Sequence, residues 1–111
     1  MEKKMCRVES TFLGNDDHGF ELDVHVTYPG HSAQGYQVHI GSRIDGYHEF
    51  LHAIIVNLLA VFHRDSWEKL KGAAAYALID KNNYIAGFQS LEVDGDEQFT
   101  TNEIGEKYIR P

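Results

Sequence analysis

The pentapeptide His48-Glu49-Phe50-Leu51-His52 has the H-E-x-x-H form. Two imidazoles four residues apart project from one side of a helix and bind zinc, while the intervening carboxylate acts as general base on metal-bound water. That chemistry needs a third ligand. His63 falls on the same helical stripe, but a rise of ~1.5 Å per residue places it more than ~16 Å beyond His52. Asp65, Glu68, His39 and His25 reach the pair only through a fold-back that the sequence does not specify. The preferred reading makes His48, Glu49 and His52 an exposed or interfacial stripe of a packed helix, with no metal and no cofactor; a small zinc hydrolase is the alternative. Asp16, Asp17 and His18 crowd one turn, where Asp is recruited for backbone reasons as often as for chemistry. Asp94-Gly95-Asp96-Glu97 lacks the ligand alternation and closing bidentate Glu of a twelve-residue calcium loop. There is no G-x-S-x-G, P-loop or dinucleotide fingerprint, and Cys6 has no obvious His partner.

The elements that position these residues follow from periodicity. Residues Arg7–Leu13 alternate Val8, Ser10 and Phe12 against Arg7, Glu9, Thr11 and Leu13, which predicts a strand. A turn over Gly14–Gly19 leads to a cleaner strand, Phe20–Tyr28, with Phe20, Leu22, Val24, Val26 and Tyr28 on one face and Glu21, Asp23, His25 and Thr27 on the other. Tyr36–Ile40 is a third strand, so His25 and His39 would be neighbours if the two strands pair. Residues Tyr47–Phe62 contain neither Gly nor Pro and predict a helix of about four turns. Asp65–Gly72 reads as a short helix with Asp65 or Ser66 at its N-cap, Glu68 completing a capping box and Gly72 as the stop. Ala73–Ile79 and Tyr84–Val93 are two more strands, joined through Asp80-Lys81-Asn82-Asn83, where Asn tolerates the left-handed conformation of a tight hairpin. The expected fold is a single α+β domain over 1–111, a mainly antiparallel sheet of order β-β-β-α-α-β-β packed on one long apolar helix. Along that helix Tyr47, Phe50, Leu51, Ile54, Leu58 and Phe62 form a core stripe, and Ala53, Val56, Leu59, Ala60 and Val61 carry apolar character round most of the circumference. A helix apolar nearly all round must be covered on nearly all sides. A small sheet covers one face, so a second copy of the chain is expected to supply the rest, making a homo-oligomer, most simply a dimer.

Composition bounds the function. With 10 Lys and Arg against 17 Asp and Glu, the net charge is -7, which disfavours direct binding to a nucleic-acid backbone. A single Cys forms no intrachain disulfide and suits a reducing, cytoplasmic compartment. The start lacks the apolar core of a signal peptide, and the run Ala53–Phe62 is too short to span a bilayer. Residues 89–111 hold six acidic and two basic side chains, and Phe99, Ile104, Tyr108 and Ile109 among them imply that the tail docks on something.

Taken in order, Val8-Glu9-Ser10-Thr11-Phe12-Leu13-Gly14, Asp17-His18-Gly19, Tyr28, Gln34-Gly35-Tyr36 and Asp65-Ser66-Trp67-Glu68-Lys69-Leu70-Lys71-Gly72 resemble a family of small bacteriophage- and prophage-encoded proteins over residues 7–87. The opening and the S-W-E-K-L-K-G segment are the specific parts. The chain departs from that family in having Tyr36–Ile40 where members carry a glycine-rich stretch, in its His48-Glu49-x-x-His52 arrangement and in its tail after Leu91. The resemblance implies action in the cytosol of an infected bacterium as an accessory factor directed at host machinery, of the anti-CRISPR or other counter-defence type. The expected function is a non-enzymatic inhibitor that binds a host bacterial protein, its carboxylates offering the charge a phosphate would. Candidate binding residues are Asp17, His18, Gln34 and Tyr36 in the shared segments and Asp94, Asp96 and Glu97 in the acidic tail. A further alternative sequesters a small nucleotide signal, with Tyr36 or Phe88 stacking a base and Arg43 or Arg64 holding phosphate.

Overall fold

The computed structural model describes residues 1–16, 19–40, 47–92 and 97–108. In chain order the elements are β1 (Glu2–Asp16), β2 (Gly19–Thr27), β3 (Ala33–Ile40), α1 (Tyr47–Phe62), a 3-10 turn (Trp67–Lys69), β4 (Ala74–Ile79), β5 (Ile85–Gln89), β6 (Gln98–Thr100) and α2 (Thr101–Tyr108). The described strands form one six-stranded sheet of order β3-β2-β1-β4-β5-β6, antiparallel at every pairing. The fold is α+β, as the sequence pattern predicts, but the finer order needs two corrections. The segment expected as a second helix is a single 3-10 turn: Ser66 precedes it with no side-chain cap, and Asp65 pairs with Lys69 at 3.0 Å. The chain then adds β6 and α2, which the periodicity reading passed over. At the junction, Thr100 Oγ1 accepts from the Glu103 N–H at 3.2 Å and donates to Glu103 Oε1 at 2.9 Å, an N-cap written in the sequence as Thr-Thr-Asn-Glu.

β1 organises the sheet by pairing twice. Its first half, Glu2–Arg7, lies against β4 and its second half, Arg7–Asp16, against β2, with a bulge between Val8 and Ser10. A bulge bends the strand and adds twist. The two wings curl toward one another accordingly: Tyr36 of β3 meets Phe88 of β5 at 5.1 Å, and Gln34 Nε2 donates to the Asn83 carbonyl at 2.7 Å. Inside this curve lies one contiguous core in which Leu22, Val24, Val26, Ile54, Leu58, Leu70, Ala75, Ala77 and Phe88 are all fully buried.

The curvature and α2 together cover much of α1, while Val56, 48% exposed, and Ala60 stay at the surface. Phe50, Ile54, Leu58, Val61 and Phe62 are buried, and Leu51, Ala53, Ile55 and Leu59 are half-buried against the core. Ile104 of α2 is buried beside them, and a Cβ placed on Gly105 would stand 3.8 Å from the Phe50 ring. That is ordinary contact, and Gly105 does not have a positive φ. Gly105→Ala therefore adds a methyl to the α1–α2 contact and removes unfolded-state freedom, and it is expected to stabilise the protein by about 0.5–1 kcal/mol in urea unfolding. A loss of stability would show that α2 packs more tightly on α1 than described. α1 closes on a left-handed residue, His63 (φ 56), with the His63 N–H on the Ala60 carbonyl and the Arg64 N–H on that of Leu59, the bonding of a Schellman cap.

Candidate functional site

The bulge in β1 changes which side chains share a face. Before it Cys6 and Val8 point into the core; after it the register pairs Thr11 with Val24 and Leu13 with Leu22, while Ser10, Phe12 and Gly14 oppose His25, Asp23 and Glu21. Phe12, expected on the same face as Val8, is thus turned out of the core and is 44% exposed. On the other side of β2, Glu21, Asp23 and His25 oppose His39, Gln37 and Gly35 of β3. The outer face of β1–β2–β3 is therefore a lattice of three rows: Gly14, Glu21, His39; Phe12, Asp23, Gln37; Ser10, His25, Gly35.

Most of this face meets solvent. Ser10, Phe12, His25, Gly35, Gln37 and His39 are exposed, but the two carboxylates on the middle strand are recessed, with Glu21 8% and Asp23 7% exposed. Two rings lie close to the sheet on this face. The Phe12 ring comes within 3.3 Å of where a Cβ on Gly14 would sit, and the His25 ring within 3.3 Å of that position on Gly35, so both rings lie low over glycines. Glu21 Oε1 stands 2.9 Å from His39 Nε2. Asp23 Oδ1 has no hydrogen-bond partner among the described residues. Leaving a buried acceptor unpaired costs about 1–3 kcal/mol, so such a group calls for an explanation. The arrangement presents recessed acceptors flanked by an aromatic face and imidazole edges, a setting suited to a cationic N–H donor.

Most of the residues singled out from sequence stand elsewhere. Tyr36 is 2% exposed, with its ring against Phe88 and Phe99 and its hydroxyl 2.6 Å from Thr101 Oγ1; Phe88 is fully buried. Neither can stack a base, because both sides of each ring are packed. Arg64 Nε donates to the Lys69 carbonyl at 3.0 Å, capping the 3-10 turn instead of awaiting a phosphate. Gln34 is a strut: it accepts from Tyr28 Oη at 2.6 Å and donates to Asn83. Glu97 is exposed, and its carbonyl accepts from the Ser90 N–H at 2.9 Å. Asp17, His18, Arg43, Asp94 and Asp96 lie outside the described residues.

Among the residues expected at an interface between copies, Phe50, Ile54, Leu58 and Phe62 are buried within one chain and Leu51 is half-buried. They pack into the core of the single chain beneath α2 and the curled sheet, and among the described residues the large apolar side chain that α1 leaves exposed is Val56. The side chain of Tyr47, which opens α1, lies outside the described residues. His48, Glu49 and His52 are on the exposed side of α1, and among the described residues no three His, Cys, Asp or Glu side chains gather as a metal site. His25 and His39 share a face but sit two rows apart, so they are not cross-strand neighbours.

Two buried groups make a prediction about alkaline pH. Burial pushes the Cys6 thiol from 9.0 up to about 12, against the weaker pull of backbone hydrogen bonds at Ala75 and Ala77; burial likewise moves Tyr36 from 10.0 to about 12. The folded state thus holds protons that the unfolded state releases, so this stabilisation is complete below pH 9.0 and is lost as pH rises toward about 12. The urea midpoint should begin to fall above pH 9.0, and Cys6→Ala should move that onset up toward the tyrosine value of 10.0. An onset unmoved by Cys6→Ala would show that the thiol does not contribute. The native thiol should also be silent to thiol reagents until the chain unfolds.

No helix among the described residues is long and apolar enough to cross a membrane. Searches with the whole chain found no matching family model and no matching curated protein.

Proposed function

We propose that this chain is a phage-encoded binding protein that works by occupancy, presenting the outer face of β1–β2–β3 to a basic surface of a host bacterial protein. The observation that carries the reading is the placement of Glu21 and Asp23 at the centre of a sheet face whose surrounding positions are exposed. An antiparallel sheet commonly leaves one face to water, and polar residues there are then solvated. Here the carboxylates are recessed and ringed, which matches recognition of a partner's cation more closely than simple solvation does. The chain's net charge of -7 favours encounter with such a surface and raises the on-rate at low salt. The resemblance to phage proteins supplies the context of a host component, in the manner of a counter-defence inhibitor. Self-association is not required by this reading, since the apolar surface of α1 is largely covered within one chain.

The test is capture from bacterial lysate on the immobilised full chain, followed by titration calorimetry of the purified partner. Ser10→Arg and Gln37→Arg place cations on the open face without entering the core. Each is expected to weaken binding at least about tenfold by charge repulsion and steric block, whereas a His48→Ala, His52→Ala double variant should bind as the parent does. Binding indifferent to the sheet variants and lost with the helix pair would overturn the proposal.

A further inference from the structure

Resting on that binding reading, we infer that Asp23 is the socket for an arginine side chain of the protein partner. Three observations converge on this position. Asp23 Oδ1 is a buried acceptor without a donor among the described residues, in a side chain whose residue is 7% exposed. Its cross-strand neighbours are Phe12 and Gln37, one of them an aromatic ring at the surface. The next outward position along β2 in one direction is Glu21, a second carboxylate. The missing component is thus a donor group that enters from solvent, carries positive charge and tolerates an apolar wall.

Guanidinium meets these requirements better than ammonium. It is planar, offers parallel N–H donors that match a carboxylate and stacks on aromatic faces. It is also the more weakly hydrated cation, which matters because the receiving carboxylate is already withdrawn from water. The Phe12 and His25 rings that overlie Gly14 and Gly35 are both at the surface, where rotamers exchange within nanoseconds. Both rings lie against these glycines, so an entering side chain competes with that contact.

The experiment uses the full chain, labelled for NMR, with hexa-arginine and hexalysine peptides as probes. The expected result is saturable shifts centred on Asp23, Phe12 and Gln37, with hexa-arginine bound about tenfold more tightly than hexalysine. Asp23→Asn keeps the shape of the side chain and removes its charge; it should abolish that preference while the melting temperature is kept. Phe12→Ala, an exposed position, serves as the second variant and should weaken hexa-arginine severalfold without changing hexalysine. Equal affinity for the two peptides, shifts dispersed over the acidic surface, or a preference that survives Asp23→Asn would each overturn the socket and leave Asp23 bonded to water alone. The two readings fail separately. Partner binding that falls in Ser10→Arg but persists in Asp23→Asn removes the socket and keeps the binding face, and an arginine preference at Asp23 with partner binding indifferent to the sheet variants removes the proposed function.

Discussion

Gly87→Ala is expected to detach β6 and α2 from the sheet and to cost about 3 kcal/mol or more in unfolding free energy. A Cβ at Gly87 would stand 1.9 Å from the Phe99 carbonyl oxygen, 2.7 Å from Thr100 Cα and 2.8 Å from the Phe99 carbonyl carbon. Every one of these atoms is backbone, so no rotamer change relieves the clash. The chain must instead open the β5–β6 ladder, in which Gly87 pairs with Thr100, Phe88 with Phe99 and Gln89 with Gln98. Thr100 also caps α2, and Phe99 and Ile104 are buried, so opening the ladder exposes core. The expected signature in urea unfolding is a lower midpoint, with protease sensitivity appearing first beyond Gln89. A variant within about 0.5 kcal/mol of the parent would show that β5 and β6 stand further apart than described.

What could be read from the chain divides along physical lines. α1 was legible because sixteen residues without Gly or Pro sustain a helical apolar period, and it runs from Tyr47 to Phe62 as expected. β2 was legible from strict alternation, with Leu22, Val24 and Val26 buried on one side. The Asp80–Asn83 turn was legible from its chemistry: Asn83 takes φ 68, and Asp80 Oδ1 accepts from the N–H groups of Asn82 and Tyr84. β1 was legible only in part. Its bulge inverts the alternation between Val8 and Ser10, and a fixed period of two cannot register an inserted residue. The first half of β1 is rich in Glu and Lys and did not read as strand, yet it lies in register with β4. In the tail the Thr100–Glu103 capping pattern and the spacing of Ile104 and Tyr108 mark α2 more directly than the acidic residues do. α2 supplies part of the cover for α1, through Ile104 and the approach of Gly105 to Phe50.

The candidate site was hidden for the same reason as the bulge. Glu21, Asp23 and His25 were visible as the polar half of β2, but their burial depends on which neighbours stand across the ladder. Phe12 reaches that face only because β1 is bulged, and Gln37 and His39 only because β3 pairs in the register that sets Asp23 against Gln37. A residue-by-residue reading assigns such carboxylates to water. The three-strand lattice recesses them, and it is the register, fixed by core packing of Leu22, Val24, Tyr36 and Val38 on the opposite face, that holds the recess in place.

Phe88→Ala should be among the most damaging substitutions in the protein, at about 3–5 kcal/mol. The ring is fully buried and lies 5.1 Å from Tyr36, 5.2 Å from Phe62 and 6.2 Å from Phe99, so it joins β3, the end of α1 and β6 at one point. Truncation leaves a cavity bounded by rings that cannot collapse together without moving three elements, which is the case where large-to-small changes cost most. Tyr36→Phe offers a calibrated contrast, since it keeps the ring and removes only the 2.6 Å bond between the hydroxyl and Thr101, at about 1 kcal/mol. The ordering separates two roles for this pair. If Phe88 and Tyr36 served as base-stacking surfaces, Phe88→Ala would abolish ligand binding and leave the urea midpoint unchanged. With the rings buried at the junction of the curled wings, the midpoint must fall first, and any loss at the outer face follows from β3 losing its anchor.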